Sequence, residues 1–200
     1  MSETNASLLS KFREYPSATR VLRFLKGHLV TLRLRRLGAQ CDRRVIVEGP
    51  TPDFWIGGSA HFGHKVMFRT QAIRGAVTVR PNAYLSIGES CFINGGVQID
   101  AWESISIGPH CHIGNNVRIA DTPYHEVDEG AGPKVAPIII GRNVWLAGNV
   151  TILPGTVIGD HSVVGAGSIV KGSFPDRSLI AGIPGRKIRD IVASDDYIRP

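Results

Sequence analysis

Cysteines, long apolar runs and a leader-like start are scarce or missing in this chain, and each scarcity excludes a class of protein. The 200 residues include three cysteines, Cys41, Cys91 and Cys111, with no Cys-x-x-Cys pair. Neither a disulfide scaffold nor a zinc knuckle is therefore indicated. No window approaches the roughly 20 apolar residues of a membrane-spanning helix, and Met1–Ser10 lacks the two regions of a secretory signal. We expect a reducing, cytoplasmic setting.

Acidic residues are few at the N-terminus. Residues 1–44 contain ten Lys or Arg against three Asp or Glu, whereas residues 45–200 contain thirteen against fourteen. The basic charge therefore belongs to an N-terminal arm, residues 1–44, and not to the body of the chain. This distribution argues against a nucleic-acid-binding domain, which would carry a basic stripe on its folded part.

The arm has the periodicity of an amphipathic helix that ends near Gly38. Two hypotheses remain open for its apolar side: it packs on the body or on another subunit, or it rests on anionic lipid with the basic residues at the headgroups. The apolar side comprises Val21, Leu22, Leu25, Leu29 and Leu32, and the basic side comprises Arg20, Arg23, Lys26 and Arg33.

A period of six replaces the helical period beyond residue 44. Six residues form one short strand with a turn, three such units close a triangular coil, and successive coils pair as parallel strands. The sequence thus predicts an all-β domain, a parallel β-helix of about six coils over residues 45–190, followed by a tail, residues 191–200. The ladder runs through Ile87, Ile93, Ile99, Ile107, Ile113 and Ile119, and again through Ile140, Leu146, Ile152, Ile158, Val164 and Val170.

The ladder is interrupted by polar residues between Ile119 and Ile140, which predicts a loop at residues 121–137. Loops held by a rigid scaffold commonly carry function. This one contains His125, and an imidazole can accept a proton at neutral pH. A smaller break in register is predicted near Gly75–Pro81.

The stretches IGRNVWLAGNVTILPGTVIGDHSVVGAGSIV at 140–170 and AGIPGRKIR at 181–189 resemble the hexapeptide-repeat acyltransferases. The similarity is to their sugar O-acetyltransferase branch, of the maltose and galactoside acetyltransferase type, and to polysaccharide-biosynthesis acetyltransferases. It implies a left-handed β-helix, a homotrimer with active sites between neighbouring prisms, and acetyl transfer from acetyl-CoA to a carbohydrate hydroxyl. An N-acetyltransferase of an amino sugar, a nucleotide-linked amino sugar or an antibiotic-type acceptor is the alternative, and a longer acyl donor also stays open.

The resemblance also implies roles for single residues near the loop. DTPYH at 121–125 matches the family's Asp-x-x-x-His segment, so His125 is the expected general base, with Asp121 or Glu126 orienting its ring. The expected acceptor-binding residues are Asn94, Asp100 and Asp121, although Asn94 could instead stabilise a corner of the coil.

The donor site is expected near the last coils. Gly148 and Ala166 match positions whose backbone lines the pantetheine slot, and Arg186 and Arg189 match cations that reach the nucleotide phosphates. Lys171 is a further candidate, one position away from the family's usual lysine. No metal site is expected, because the histidine spacing of the zinc hydrases built on the same prism is missing. The remaining body histidines are expected at the surface or between chains: His61, His64, His110, His112 and His161.

An arm that rests on the membrane would suit a lipid-linked saccharide acceptor at the cytoplasmic face. That expectation depends only on the charge of residues 1–44.

Overall fold

The computed structural model describes residues 17–71 and 73–200, and the part of the arm before residue 17 lies outside them. A helix, α1 (Ser17–Arg36), precedes a series of short strands. The strands are β1 (Gln40–Cys41), β2 (Ile46–Glu48), β3 (Asp53–Ile56), β4 (Ser59–Phe62), β5 (Met67–Arg69), β6 (Ala76–Val79), β7 (Tyr84–Ile87), β8 (Phe92–Asn94), β9 (Gln98–Ala101), β10 (Ser104–Ile107), β11 (His112–Ile113), β12 (Arg118–Ala120), β13 (Ile138–Ile140), β14 (Trp145–Leu146), β15 (Thr151–Ile152), β16 (Val157–Ile158), β17 (Val163–Val164), β18 (Ile169–Val170), β19 (Ser173–Phe174), β20 (Ser178–Gly182) and β21 (Gly185–Asp190).

Each strand from β1 to β17 pairs in parallel with the strand three places later in the chain, so the chain winds as a triangular prism. Face A is β1-β4-β7-β10-β13-β16-β19, face B is β2-β5-β8-β11-β14-β17-β20-β21, and face C is β3-β6-β9-β12-β15-β18. These make six complete coils and a partial seventh. The pairing of β21 with β20 is antiparallel and closes the prism. The predicted parallel β-helix is confirmed.

The aliphatic ladder fills the interior of the prism. In the last coils Ile140 pairs with Ile158 and Leu146 with Val164, so equivalent side chains recur after eighteen residues. All four are buried, and burying each contributes roughly 1.5–3 kcal/mol. At the other end three phenylalanines fill the core with ring centroids 5.5–6.4 Å apart: Phe54, Phe62 and Phe68.

Corners of the prism explain the small residues of the repeat. A Cβ added at Gly108 would lie 2.6 Å from the backbone carbon of Gly141 in the next coil. The φ of Gly108 does not lie in the left-handed region. Glycine is therefore required at this position because the two backbones approach closely, and not because of its backbone conformation. The break in the six-residue register that was predicted near Gly75–Pro81 has two parts, one between β5 and β6 and one between β6 and β7. The first part begins before Gly75.

Helix α1 packs on the first coil through a face that the apolar periodicity did not select. Val30 and Leu34 are buried, and Thr31 Oγ1 accepts a hydrogen bond of 2.9 Å from the Val45 N–H. The predicted apolar side, which we call the helix stripe (Val21, Leu22, Leu25, Leu29 and Leu32), is half or more exposed. The hypothesis that this side packs on the body of the chain is therefore wrong.

The tail, residues 191–200, folds back on the corner between faces A and B. Asn143 Nδ2 donates to the Tyr197 carbonyl at 2.7 Å, and Asn143 Oδ1 accepts from the Arg199 N–H at 3.0 Å. Arg199 also donates to the carbonyl of His161 at 2.8 Å. His161 is consequently buried, and its expected place at the surface is wrong.

We expect the free energy of unfolding to fall as the pH drops below the ordinary histidine value of 6.5. Asn143 Oδ1 already accepts from Arg199, so its Nδ2 donates to His161 Nδ1, 2.9 Å away. A proton on Nδ1 would oppose this donor. Burial, together with Arg142 and Arg177, lowers the pKa of His161 against the opposite effect of Asp160 and Asp195.

The sign follows from linkage. The folded state binds fewer protons than the unfolded state, so the contribution is complete above pH 6.5 and is lost as the pH falls through the lowered pKa. Urea unfolding from pH 7.5 to 5 measures it. His161→Asn, which suits the left-handed backbone (φ 60°), should flatten the slope. His61→Asn, at an exposed ion pair with Asp42, is the control, and equal slopes in both variants would contradict the assignment.

Candidate functional site

The projecting loop leaves the prism at the corner between faces C and A and is anchored by Asp121. The Asp121 side chain is fully buried. Its carboxylate accepts three backbone hydrogen bonds, from Trp102 at 2.7 Å and from Glu103 and Ser104 at 2.8 Å. Its carbonyl accepts from the Ala136 N–H at 3.0 Å, which closes the neck of the loop. Asp121, predicted as an acceptor-binding residue, thus anchors the loop in this chain.

His125 lies exposed on this anchored loop. The turn before it is fixed because Thr122 Oγ1 accepts from the Tyr124 N–H at 3.0 Å. Glu126 accepts from the Gly132 N–H at 3.1 Å. Among the residues that the structure describes, neither Asp121 nor Glu126 is hydrogen-bonded to the His125 ring. The imidazole is therefore presented to groups outside the chain.

Asp100 lies on the outer side of face C, below the loop. The Asp100 Oδ1 atom is 4.0 Å from Arg80 Nε. Two aromatic rings, those of Trp102 and Tyr124, lie at the same end of face C with their centroids 6.1 Å apart. Burial raises the pKa of the Tyr124 hydroxyl against the lowering effect of Arg118, and the Asp100 carboxylate adds to the rise. The hydroxyl therefore remains protonated at neutral pH. Sequence patterns did not single out Arg80, Trp102 or Tyr124, because outward positions of a coil show no period.

Asn94 lies on face B, away from the loop of its own chain. Its side-chain amide donates to the Ile113 carbonyl of the next coil at 3.0 Å. This bond fits the corner-stabilising alternative for Asn94. Within one chain the structure does not bring Asn94 and His125 together.

Three of the five predicted donor residues, Gly148, Ala166 and Arg186, lie at the corner between faces B and C. Arg189 lies farther along β21, toward the corner between faces A and B. Gly148 and Ala166 occupy the first of these corners in successive coils, and the Gly148 carbonyl accepts from the Gly167 N–H at 3.0 Å. Strand β21 places Arg186 opposite Ala181 and Arg189 opposite Leu179. Both arginines are exposed, so their charges are available to an anionic ligand.

Lys171 is separated from that group. It is exposed at the corner between faces C and A, where it lines a groove of about 230 Å³ beside the loop. The other lining residues are Thr122, Pro123, Val127, Lys134, Leu153 and Pro154. The structure thus places Lys171 with the loop and not with Gly148 and Ala166.

Metal ligands do not cluster within residues 17–71 and 73–200. No three His, Cys, Asp or Glu side chains there are grouped so that they could hold an ion. In the same residues no helix is long and apolar enough to cross a membrane.

Two family models match this chain. The model of the bacterial transferase hexapeptide (six repeats) matches residues 137–172, and that of the hexapeptide repeat of succinyl-transferase matches residues 84–120. Both regions lie in the ladder.

Curated relatives match about half of the chain or somewhat more. A protein of Escherichia coli K12 described as a lipopolysaccharide biosynthesis O-acetyl transferase is 38% identical over 109 residues, covering 48% of this chain and 56% of the relative. The galactoside O-acetyltransferase of the same organism is 37% identical over 128 residues, covering 60% and 63%. The chain thus spans under two thirds of the length of these relatives.

The fold is also similar to a solved galactoside acetyltransferase in complex with coenzyme A. The two are 30% identical with a TM-score of 0.53, and the match covers 81% of this chain and 72% of that one. The prediction of a left-handed β-helix is confirmed by this similarity.

Proposed function

Because this chain belongs to the hexapeptide-repeat transferase family, we propose that it transfers an acetyl group from acetyl-CoA to a hydroxyl of a sugar or glycan. The observation that carries the proposal is His125, exposed on a loop that a buried carboxylate fixes to the prism. Two relatives are named O-acetyltransferases, which supports the oxygen acceptor. The solved galactoside acetyltransferase contains coenzyme A, which supports acetyl-CoA as the donor.

His125 is the general base in this proposal. A protonated hydroxyl is a weak nucleophile, so the imidazole takes its proton as the oxygen attacks the thioester carbonyl. The new carbon–oxygen bond forms, the carbon–sulfur bond breaks, and the imidazolium returns the proton to the leaving thiolate. Holding both substrates in one cleft supplies much of the remaining rate.

The donor runs along the corner between faces B and C. Its pantetheine arm lies against the backbone at Gly148 and Ala166, where side chains are small, and Arg186 and Arg189 meet the phosphates. Lys171 lies too close to the loop to share that site within one chain, so its cation acts near the reacting groups or on the donor of a neighbouring subunit.

The active site requires a second chain, and we propose a homotrimer. His125 and the Gly148–Ala166 corner lie at different edges of one prism. Face B carries an outward column of Phe92, His112 and Trp145 in direct register. Burial lowers the pKa of His112, and Arg199 and His110 add to this, so the column is neutral at pH 7. Such a column suits a subunit interface, where Asn94 of one chain approaches the loop of another.

Thiol release from acetyl-CoA over a panel of sugars, amino sugars and oligosaccharides tests the proposal. Release that needs both a hydroxyl acceptor and His125 supports it. Release with amines alone identifies the N-acetyltransferase alternative, and faster release from butyryl-CoA identifies a longer donor. Absence of release together with absence of acetyl-CoA binding contradicts the proposal.

We also propose that the helix stripe rests on anionic lipid at the cytoplasmic face. The stripe exposes large side chains, with Leu22 and Leu29 each 67% exposed, on the side opposite the packed face. Arg33 and Arg36 are exposed near its C-terminal end. An apolar face edged by cations matches an interfacial helix. The three cysteines are free and buried, in agreement with a reducing compartment.

Replacing Leu25 and Leu29 together by serine should weaken binding to vesicles containing anionic lipid at least about tenfold, because two apolar side chains no longer enter the interface. Co-sedimentation measures it, with Val192→Ser, in the exposed tail, as control. Neutral vesicles should bind little of either protein. If the double variant sediments normally but loses oligomer mass in light scattering, the stripe is a subunit contact and the lipid proposal is wrong.

A further inference from the structure

Aromatic and charged side chains form a continuous row along the outer side of face C. Trp55 lies on β3, Arg80 follows β6, Trp102 follows β9 and Tyr124 follows β12. These four strands are neighbours in the order β3-β6-β9-β12, and strands lie about 4.8 Å apart, so the row spans about 14 Å. With Asp100 on β9, we call it the face C ladder.

The face C ladder is held in place by ring contacts. The Arg80 guanidinium carbon is 5.5 Å from the Trp55 ring centroid and 4.9 Å from that of Trp102. The Trp102 and Tyr124 rings meet edge to face, and the Arg118 guanidinium lies 5.2 Å from the Tyr124 centroid. The contacts of Tyr124 with Trp102 and with Arg118 do not involve Arg80, so they orient these two rings whether or not Arg80 moves.

Trp55 is positioned by the glycine that follows its strand. A Cβ added at Gly57 would lie 2.8 Å from Trp55 Cη2, so the indole rests against the backbone there. Even so, Trp55 remains 49% exposed. An indole that is both fixed and half exposed is a platform for an apolar ring face.

Two polar atoms within the face C ladder are buried and make no hydrogen bond among the described residues: Asp100 Oδ1 and Trp102 Nε1. The nearest cation to Asp100 Oδ1 is Arg80 Nε at 4.0 Å, which is beyond hydrogen-bond distance. A buried polar atom without a hydrogen bond costs about 1–3 kcal/mol. A hydroxyl can both donate and accept, so sugar hydroxyls could satisfy the carboxylate oxygen and the indole N–H together. Arg80, exposed and adjacent to both residues, is the side chain that would move to admit them.

The face C ladder begins beside the proposed base, because Tyr124 directly precedes His125. From there it leads away along the prism to Trp55. A sugar ring offers apolar C–H faces, which can stack on an indole face. It also offers a rim of hydroxyls, which can hydrogen-bond to the two polar atoms that lack partners. Resting on the proposed function, we propose that the face C ladder binds the sugar units that follow the acetylated one, so that the acceptor is an oligosaccharide or glycan.

The test compares short and long acceptors with the same terminal sugar: methyl α-glucoside against maltotetraose, and methyl β-galactoside against β-1,4-galactotetraose. For the pair that reacts, the wild type should show a kcat/KM at least tenfold higher for the tetrasaccharide. Trp55→Ala should reduce this ratio about tenfold through KM, with kcat and the monosaccharide reaction unchanged. Gly57→Ala, which displaces the same indole, should reduce it in the same direction.

Tyr84→Ala is the matched control, because Tyr84 is an aromatic residue 44% exposed on face A. An equal ratio in wild type and Trp55→Ala, or an equal loss in Tyr84→Ala, overturns the inference. Loss of oligomer mass in Trp55→Ala also overturns it, since the face C ladder would then be a subunit contact. Failure of the proposed function is seen separately, because the wild type would then acetylate neither length of acceptor.

Discussion

Replacing His125 by alanine is expected to lower kcat for acetyl transfer by about 10²–10⁴. The imidazole lies exposed on the loop, and no other histidine shares the loop that Asp121 anchors. Without a base the acceptor hydroxyl must attack while protonated, whereas donor and acceptor still bind. KM for acetyl-CoA should therefore change little. Thiol release under saturating acetyl-CoA measures the loss.

The matched control for this result is His64→Ala. His64 is a half-buried histidine in the corner after β4, on the far side of the first coils, so its removal should leave kcat unchanged. His125→Ala should unfold at the wild-type temperature, because its exposed ring stabilises no core contact. Wild-type kcat in His125→Ala, or an equal loss in His64→Ala, would show that His125 is not the base.

The β-helix could be predicted because its period is a direct consequence of its geometry. Each strand in the coils contributes at least one inward side chain to the stack, so Ile140, Ile158 and their equivalents must be apolar in every coil. The handedness of the winding does not affect which positions are apolar, so the left-handed form was predicted only from the resemblance to the family. Outward positions such as Trp55 and Arg80 are free of the period, which is why the face C ladder was not predicted.

The hypothesis that the helix stripe packs on the body of the chain is wrong for a specific reason. Helix α1 has apolar residues on two sides, and the helix stripe is the longer of the two. The packed face is determined by how closely the helix backbone can approach the first coil. A Cβ added at Gly27 would lie 2.8 Å from the Val45 carbonyl oxygen. Gly27 and Thr31 add nothing to an apolar pattern, although they are the contacts at which the helix approaches the first coil most closely.

The tail illustrates a different limit. Asn143 and His161 are corner residues with left-handed φ of 53° and 60°, so the sequence explains their backbone. The Asn143 side chain binds Tyr197 and Arg199, and the His161 carbonyl accepts from the Arg199 side chain, all more than 35 positions away. Contacts between a corner and an aperiodic tail follow no spacing, and this is why His161 was expected at the surface.

Asp121→Ala is expected to lower the free energy of unfolding by roughly 3–5 kcal/mol, because three backbone N–H groups lose a charged acceptor inside the prism. It should also lower kcat, since the carboxylate holds the start of the loop that carries His125. Asp121→Asn keeps the shape but turns a donor toward backbone donors, so it should be nearly as damaging. Urea unfolding and thiol release measure the two effects.

Asp160 provides the comparison that separates stability from positioning. Its carboxylate also caps a corner, accepting from the Arg142 N–H at 2.7 Å, but this corner lies between faces A and B, away from the loop. Asp160→Ala should therefore cost about 1–2 kcal/mol of stability with kcat unchanged. If Asp121→Ala kept the wild-type kcat while losing stability, Asp121 would be a structural cap only, and the position of His125 would not depend on it. A fall in kcat seen for Asp121 and not for Asp160 means that the buried carboxylate sets the position of the base, because both variants lose a corner cap and only one corner carries the loop.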